Sequence, residues 1–104
     1  MSTRIFTSIV IHEVYAERVA QETKWGEQNH PDGTGGRGRV ASANAARIAC
    51  QSSAERGEVT FLDILAEEVA EAFAETDPEL LREELIQVAA VAVAWIESID
   101  RRTA

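Results

Sequence analysis

Four oxygen-bearing side chains recur in two pairs of equal spacing. Glu68 and Glu71 stand three residues apart, as do Glu84 and Gln87, and residues so spaced on an α-helix share one face about one turn apart. Apolar neighbours border both pairs: Ile64, Leu65 and Ala72 near the first, Leu80, Val88 and Val91 near the second. The pairs therefore point towards a packed interior. Carboxylates gathered there repel one another and lose hydration, and cations relieve both penalties. The chemistry implied is binding of cations. A Glu-rich stretch is more often a solvated helix face. The pairing of EExxE with ExxQ, with twelve residues between the two halves, favours a cation site over that reading.

Two helices in series must position these groups. Thr60 can cap the first, and Asp77 followed by Pro78 is a cap and first-turn signature for the second. The spacing predicts helices over about Thr60 to Thr76 and Pro78 to Arg102, the latter closed by Arg101 and Arg102 at the negative end of its dipole. Upstream, Ile11, Val14, Val19 and Trp25 recur at helical spacing and predict a helix from about Thr7 to Gln28. Pro31 and the four glycines between Gly33 and Gly38 break regular structure and predict a flexible loop over 30–39. The Ala-rich stretch from about Val40 to Arg56 predicts another helix, stopped by Gly57.

The chain of 104 residues makes one domain over 1–104, and a composition rich in Ala, Val, Ile and Leu with few aromatics favours an all-α four-helix bundle. Within the last helix, Leu85 to Ile96 is apolar nearly all round, and such a helix must be covered on every side. Three short partners hardly suffice, so a second copy of the chain is expected to complete the bundle as a dimer or tetramer.

Net charge is −8, and nine of the eighteen acids fall between Thr60 and Glu84 against the single base Arg82. That balance excludes a nucleic-acid polymer as partner, because such binding needs a basic face to displace counterions. Nucleotides remain accessible through a bridging metal. A lone Cys50 excludes an internal disulfide, the first fifteen residues lack a secretory pattern, and the longest apolar run is too short for a bilayer. A cytoplasmic location away from membranes is expected.

The constellation EExxE, spacer, ExxQ resembles the signature of the MazG-like all-α nucleotide pyrophosphohydrolases, ExxE followed by ExxD. The similarity covers about Thr60 to Glu97 and, more loosely, Trp25 to Pro31. It implies a magnesium-dependent enzyme that cleaves a nucleoside triphosphate to the monophosphate and pyrophosphate. It further implies that Glu68, Glu71 and Glu84 are metal ligands, with Gln87 in the fourth position. The physics agrees: magnesium, or manganese in its place, prefers oxygen donors, keeps part of its water shell, takes phosphate oxygens as further ligands and makes water acidic enough to attack. Glu67, next to the first ligand, is the candidate to orient or deprotonate that water, although adjacent helical residues diverge by about 100°. Gln87 departs from the pattern: a neutral amide stands where the family has Asp, which removes one anion and puts activity in doubt. An amide oxygen still accepts from, or weakly ligates, a hydrated ion.

In relatives that act on pyrimidine deoxynucleotides, residues from the end of the first helix line the base pocket, and Lys24-Trp25-Gly26-Glu27-Gln28-Asn29-His30-Pro31 looks similar. The resemblance implies that Trp25 stacks on a base while Gln28, Asn29 or His30 reads its polar edge. Trp25 as a core residue is an equally open reading. The residues from about Gly33 to Glu58 intervene here between that stretch and the acidic motif, so base preference does not transfer. Arg37 and Arg39 are candidates to contact the triphosphate. Besides the hydrolase, two other classes stand: a catalytically weak or inactive helical oligomer that binds a nucleotide or a partner, and a structural oligomer with solvated carboxylates.

Overall fold

A computed structural model describes residues 3–103 as four α-helices and no strand: α1 (Thr3–Trp25), α2 (Arg37–Glu55), α3 (Phe61–Ala74) and α4 (Pro78–Thr103). Local chemistry sets most of the boundaries. Gly26 at φ 72° ends α1, its amide donating to the Glu22 carbonyl at 2.7 Å. Gly57 at φ 69° ends α2 in a Schellman arrangement, with Gly57 N–H on Ala54 O and Glu58 N–H on Ser53 O. At the start of α3 the Thr60 hydroxyl accepts from Asp63 N–H while the Asp63 carboxylate accepts from Thr60 N–H, each at 3.1 Å. Asp77 Oδ1 accepts from Glu79 N–H at 2.9 Å and opens α4, with Pro78 in its first turn.

The helices form two compact units. One comprises α2, α3 and α4 as far as Ala92. Here α2 packs along α3, burying Ala43 and Cys50 of α2 and Ala72 of α3, and Leu81 of α4 is buried as well. Small residues at the α2 positions allow the close approach. The other unit comprises α1, the stretch to Asp32 and α4 from Val93 onwards. Val10 and Val93 are buried in it, and the Thr7 hydroxyl donates to the Glu97 carboxylate, which is only 5% exposed. A buried carboxylate needs such a donor.

Three boundaries differ from those expected. Helix α1 begins at Thr3, ahead of Thr7, and Gly26 ends it at Trp25, so that Gln28 lies beyond it together with Asn29 and His30. Arg37 and Arg39 lie in the first turn of α2, not in a loop. The remaining glycine segment is hydrogen bonded to the end of α3: Gly35 N–H donates to Phe73 O at 2.8 Å and the Thr34 hydroxyl to Glu75 O at 2.5 Å. Carbonyls in the last turn of a helix have no partner of their own. The loop thus acts as a cap for α3, and Arg39 clamps it by donating to the carbonyls of Gly33 and Gly35 at 2.6 and 3.1 Å.

Candidate metal centre

Glu68 and Glu71 project from one stripe of α3, and Glu84 from the second turn of α4, all three within the α2–α3 unit. One oxygen from each lies within 4.8 Å of the others, and all three residues are half-buried. The i,i+3 spacing delivers the first two. The short turn through Glu75 and Asp77, with Glu75 Oε1 accepting from the amides of Thr76 and Asp77, brings α4 back to supply the third.

The cluster is electrostatically strained. All three carboxyls titrate above their ordinary range, and lost hydration is the leading cause in each case. The charges of Glu84 and Glu67 add to it at Glu68. Those of Glu68 and Glu67 do so at Glu71, against a hydrogen bond from Glu84 and the positive charge of Arg47, which pull the other way. At Glu84 the charge of Glu71 and the hydrogen bond to Glu71 add to lost hydration in favouring the protonated form. A divalent ion would relieve the repulsion.

The donors suit a hard ion: three carboxylate oxygens within 4.8 Å of one another would hold a divalent cation of the magnesium type, which prefers oxygen ligands and keeps part of its water shell.

Glu67 is half-buried and engages the Cys50 thiol of α2. The hydrogen bond to Glu67 is the main reason the thiol titrates high, followed by burial and the charges of Glu67, Asp63 and Glu68. Gln87 sits one turn beyond Glu84 and is exposed.

The residues read as a base pocket belong to the α1 unit. Trp25 is 65% exposed, with Lys24 Nζ 4.8 Å above its ring centroid. Within this chain it is available for stacking and is not a core residue. Asn29 Nδ2 donates to Glu27 Oε2 at 2.9 Å, and Trp25, Glu27, Gln28, Asn29 and His30 line one shallow groove. Arg37 is exposed at the start of α2, while Arg39 is engaged with the glycine loop.

Two residues near the carboxylates escaped the sequence reading, Cys50 and Arg47. Their signal lay in the period of α2: Ala43, Arg47 and Cys50 follow i, i+4, i+7, one stripe of a helix. Without knowing that α3 packs on that stripe, it is an arginine in an Ala-rich helix.

Comparisons with models of known families, with characterised proteins and with solved structures find no match to this chain.

Proposed function

We propose that the chain is a magnesium-dependent nucleoside triphosphate pyrophosphohydrolase of MazG-like kind. The observation that supports it most is the convergence of Glu68, Glu71 and Glu84 from two helices to within 4.8 Å, in spite of the repulsion and lost hydration that this costs. Magnesium held by these carboxylates supplies neutralisation of the triphosphate and activation of water. Glu67 takes the proton as water attacks the α-phosphorus, the bond from that phosphorus to the α,β-bridging oxygen breaks, and pyrophosphate leaves. Cys50 of α2 neighbours Glu67, whose carboxylate has lone pairs free to accept that proton.

A panel of nucleoside triphosphates with magnesium or manganese tests this reading. Pyrophosphate release is expected for at least one of them, and Gln87→Asp, which restores a fourth carboxylate, is expected to tighten magnesium binding without nucleotide. Gln87 also supports the second reading, a binding module without turnover. Thermal stabilisation by a nucleotide with no pyrophosphate release would establish that one.

The working form is a homo-oligomer. Leu62 and Phe73 on α3 are 66% and 54% exposed, and Leu62, Ala66, Val69 and Phe73 follow the 4,3,4 spacing of a helix-packing seam. Leu85, Ile86, Ile96 and Ile99 of α4 are likewise accessible, though Val93 is buried. Light scattering at micromolar concentration is expected to give a dimer or tetramer. A monomer would overturn this part of the reading.

A further inference from the structure

Arg47 has no place in the metal centre as described, yet the packing of α2 on α3 sets it beside one of the three carboxylates. The register follows from contacts at separate points. At one end Gly35, just ahead of α2, donates to Phe73 O near the C-terminus of α3. Along the helices Arg39 and Ser42 share a groove with Val69, Ala70 and Phe73. Further on, Cys50 meets Glu67. The two helices therefore run antiparallel, and one turn back from Cys50 on α2 is level with one turn forward from Glu67 on α3. Those positions are Arg47 and Glu71.

The guanidinium is held in place. Arg47 Nη2 donates to Asn44 Oδ1, one turn earlier on α2, at 2.7 Å. Arg47 is also the one base between Arg39 and Arg56, and it is exposed. A guanidinium has five N–H donors in a planar fork that matches phosphate oxygens, and Asn44 engages one of them.

A fixed positive charge at this point opposes the entry of a bare divalent cation. It becomes favourable when the cation arrives with an anion whose oxygens extend past the carboxylates towards α2. We propose that Arg47 is the specificity-determining cation that contacts phosphate oxygens of the ligand held at the Glu68, Glu71 and Glu84 centre, with Asn44 orienting it. The proposal rests on the metal-site reading above. It selects for polyphosphate-bearing ligands against free metal. An arginine that merely neutralised Glu71 would leave no such selectivity, and the two roles differ in what the loss of Arg47 does to binding of the phosphate-bearing ligand.

Calorimetric titration of the full chain with magnesium alone, and with magnesium tripolyphosphate, separates them. For Arg47→Ala, free magnesium should bind as in the parent or up to severalfold more tightly, because a repelling charge is gone. Magnesium tripolyphosphate should bind on the order of 10- to 100-fold more weakly, as for loss of a charge-assisted hydrogen bond. Arg47→Lys keeps the charge and loses the fork, so it should fall between, and it serves if the alanine variant fails to fold. Unchanged tripolyphosphate affinity in both variants, or a parallel fall in both titrations, would overturn the proposal while leaving the metal site standing. A parent that binds magnesium only in a manner indifferent to Glu71→Gln, or not at all, would overturn the metal-site reading and this proposal with it.

Discussion

Glu71→Gln is expected to abolish magnesium binding and, in the same protein, to raise the melting temperature of the metal-free form. Both effects follow from one arrangement. The carboxyls of Glu68, Glu71 and Glu84 are gathered within 4.8 Å and titrate above the 4.5 of an ordinary glutamate because the folded chain strips water from them and sets them against one another. A carboxyl whose folded-state titration lies above its unfolded one binds more protons folded than unfolded in the interval between. Its favourable contribution is complete below the unfolded value and is lost as pH rises through the folded value. The metal-free parent should therefore lose stability from about pH 4.5 towards neutrality relative to the glutamine variant. At neutral pH the variant, freed of one charge, should be more stable by on the order of 1 kcal/mol, about 4–8 °C in Tm for a domain of this size.

Magnesium reverses the order. In the parent it binds only the deprotonated cluster, so its stabilisation should grow with pH over the same interval, whereas Glu71→Gln and Glu68→Gln should gain none. Calorimetric titration and thermal melts at pH 5 and pH 7.5 give both readouts. Identical behaviour of parent and variants in both would mean that no cation site exists here and that the proposed activity has lost its basis.

Gly35→Ala should cost about 1–3 kcal/mol of stability, from backbone strain and a steric contact that a second substitution can separate. Gly35 adopts φ 95°, a region that side chains disfavour, and it does so while its amide caps the Phe73 carbonyl at 2.8 Å. A Cβ at that position would collide with Thr76 Cγ2, well inside contact distance. Thr76 is exposed and can rotate or be trimmed. In a Thr76→Ser background, where that methyl is absent, Gly35→Ala should cost less, and what remains measures the backbone strain. Denaturant melts of the four proteins complete the cycle. Because α3 carries Glu68 and Glu71, loosening its C-terminal cap should also weaken magnesium binding. A Gly35→Ala protein as stable as the parent would mean that the loop does not hold α3 in solution.

The parts of this molecule that were legible from the chain are those decided within a few residues. Thr60 with Asp63, and Asp77 with Pro78, satisfy helix-start amides locally, so α3 and α4 begin where their residue types say. The all-α class followed from the same local preferences, and the i,i+3 geometry of Glu68 with Glu71 is a property of any helix. Elsewhere the deciding partners lie far away in the chain. Arg37 to Arg39 read as loop because glycine disfavours helix; they are helical with Gly36 at φ 102° turning the chain into α2 and Arg39 clamping the carbonyls behind it. Gly35 and Thr34 read as mobile because nothing nearby in sequence binds them. Their partners are Phe73 and Glu75, some forty residues on. Trp25 was equally compatible with core and surface, since a ring adds apolar area in either place, and only the packing of its own unit left it exposed. The approach of Glu84 to Glu71, of Glu67 to Cys50 and of Arg47 to Glu71 was likewise a matter of how α2 and α4 meet α3. A charge is felt over ångströms in space, not along the chain, so the tertiary structure alone decided which acids would crowd one another and which base would stand beside them.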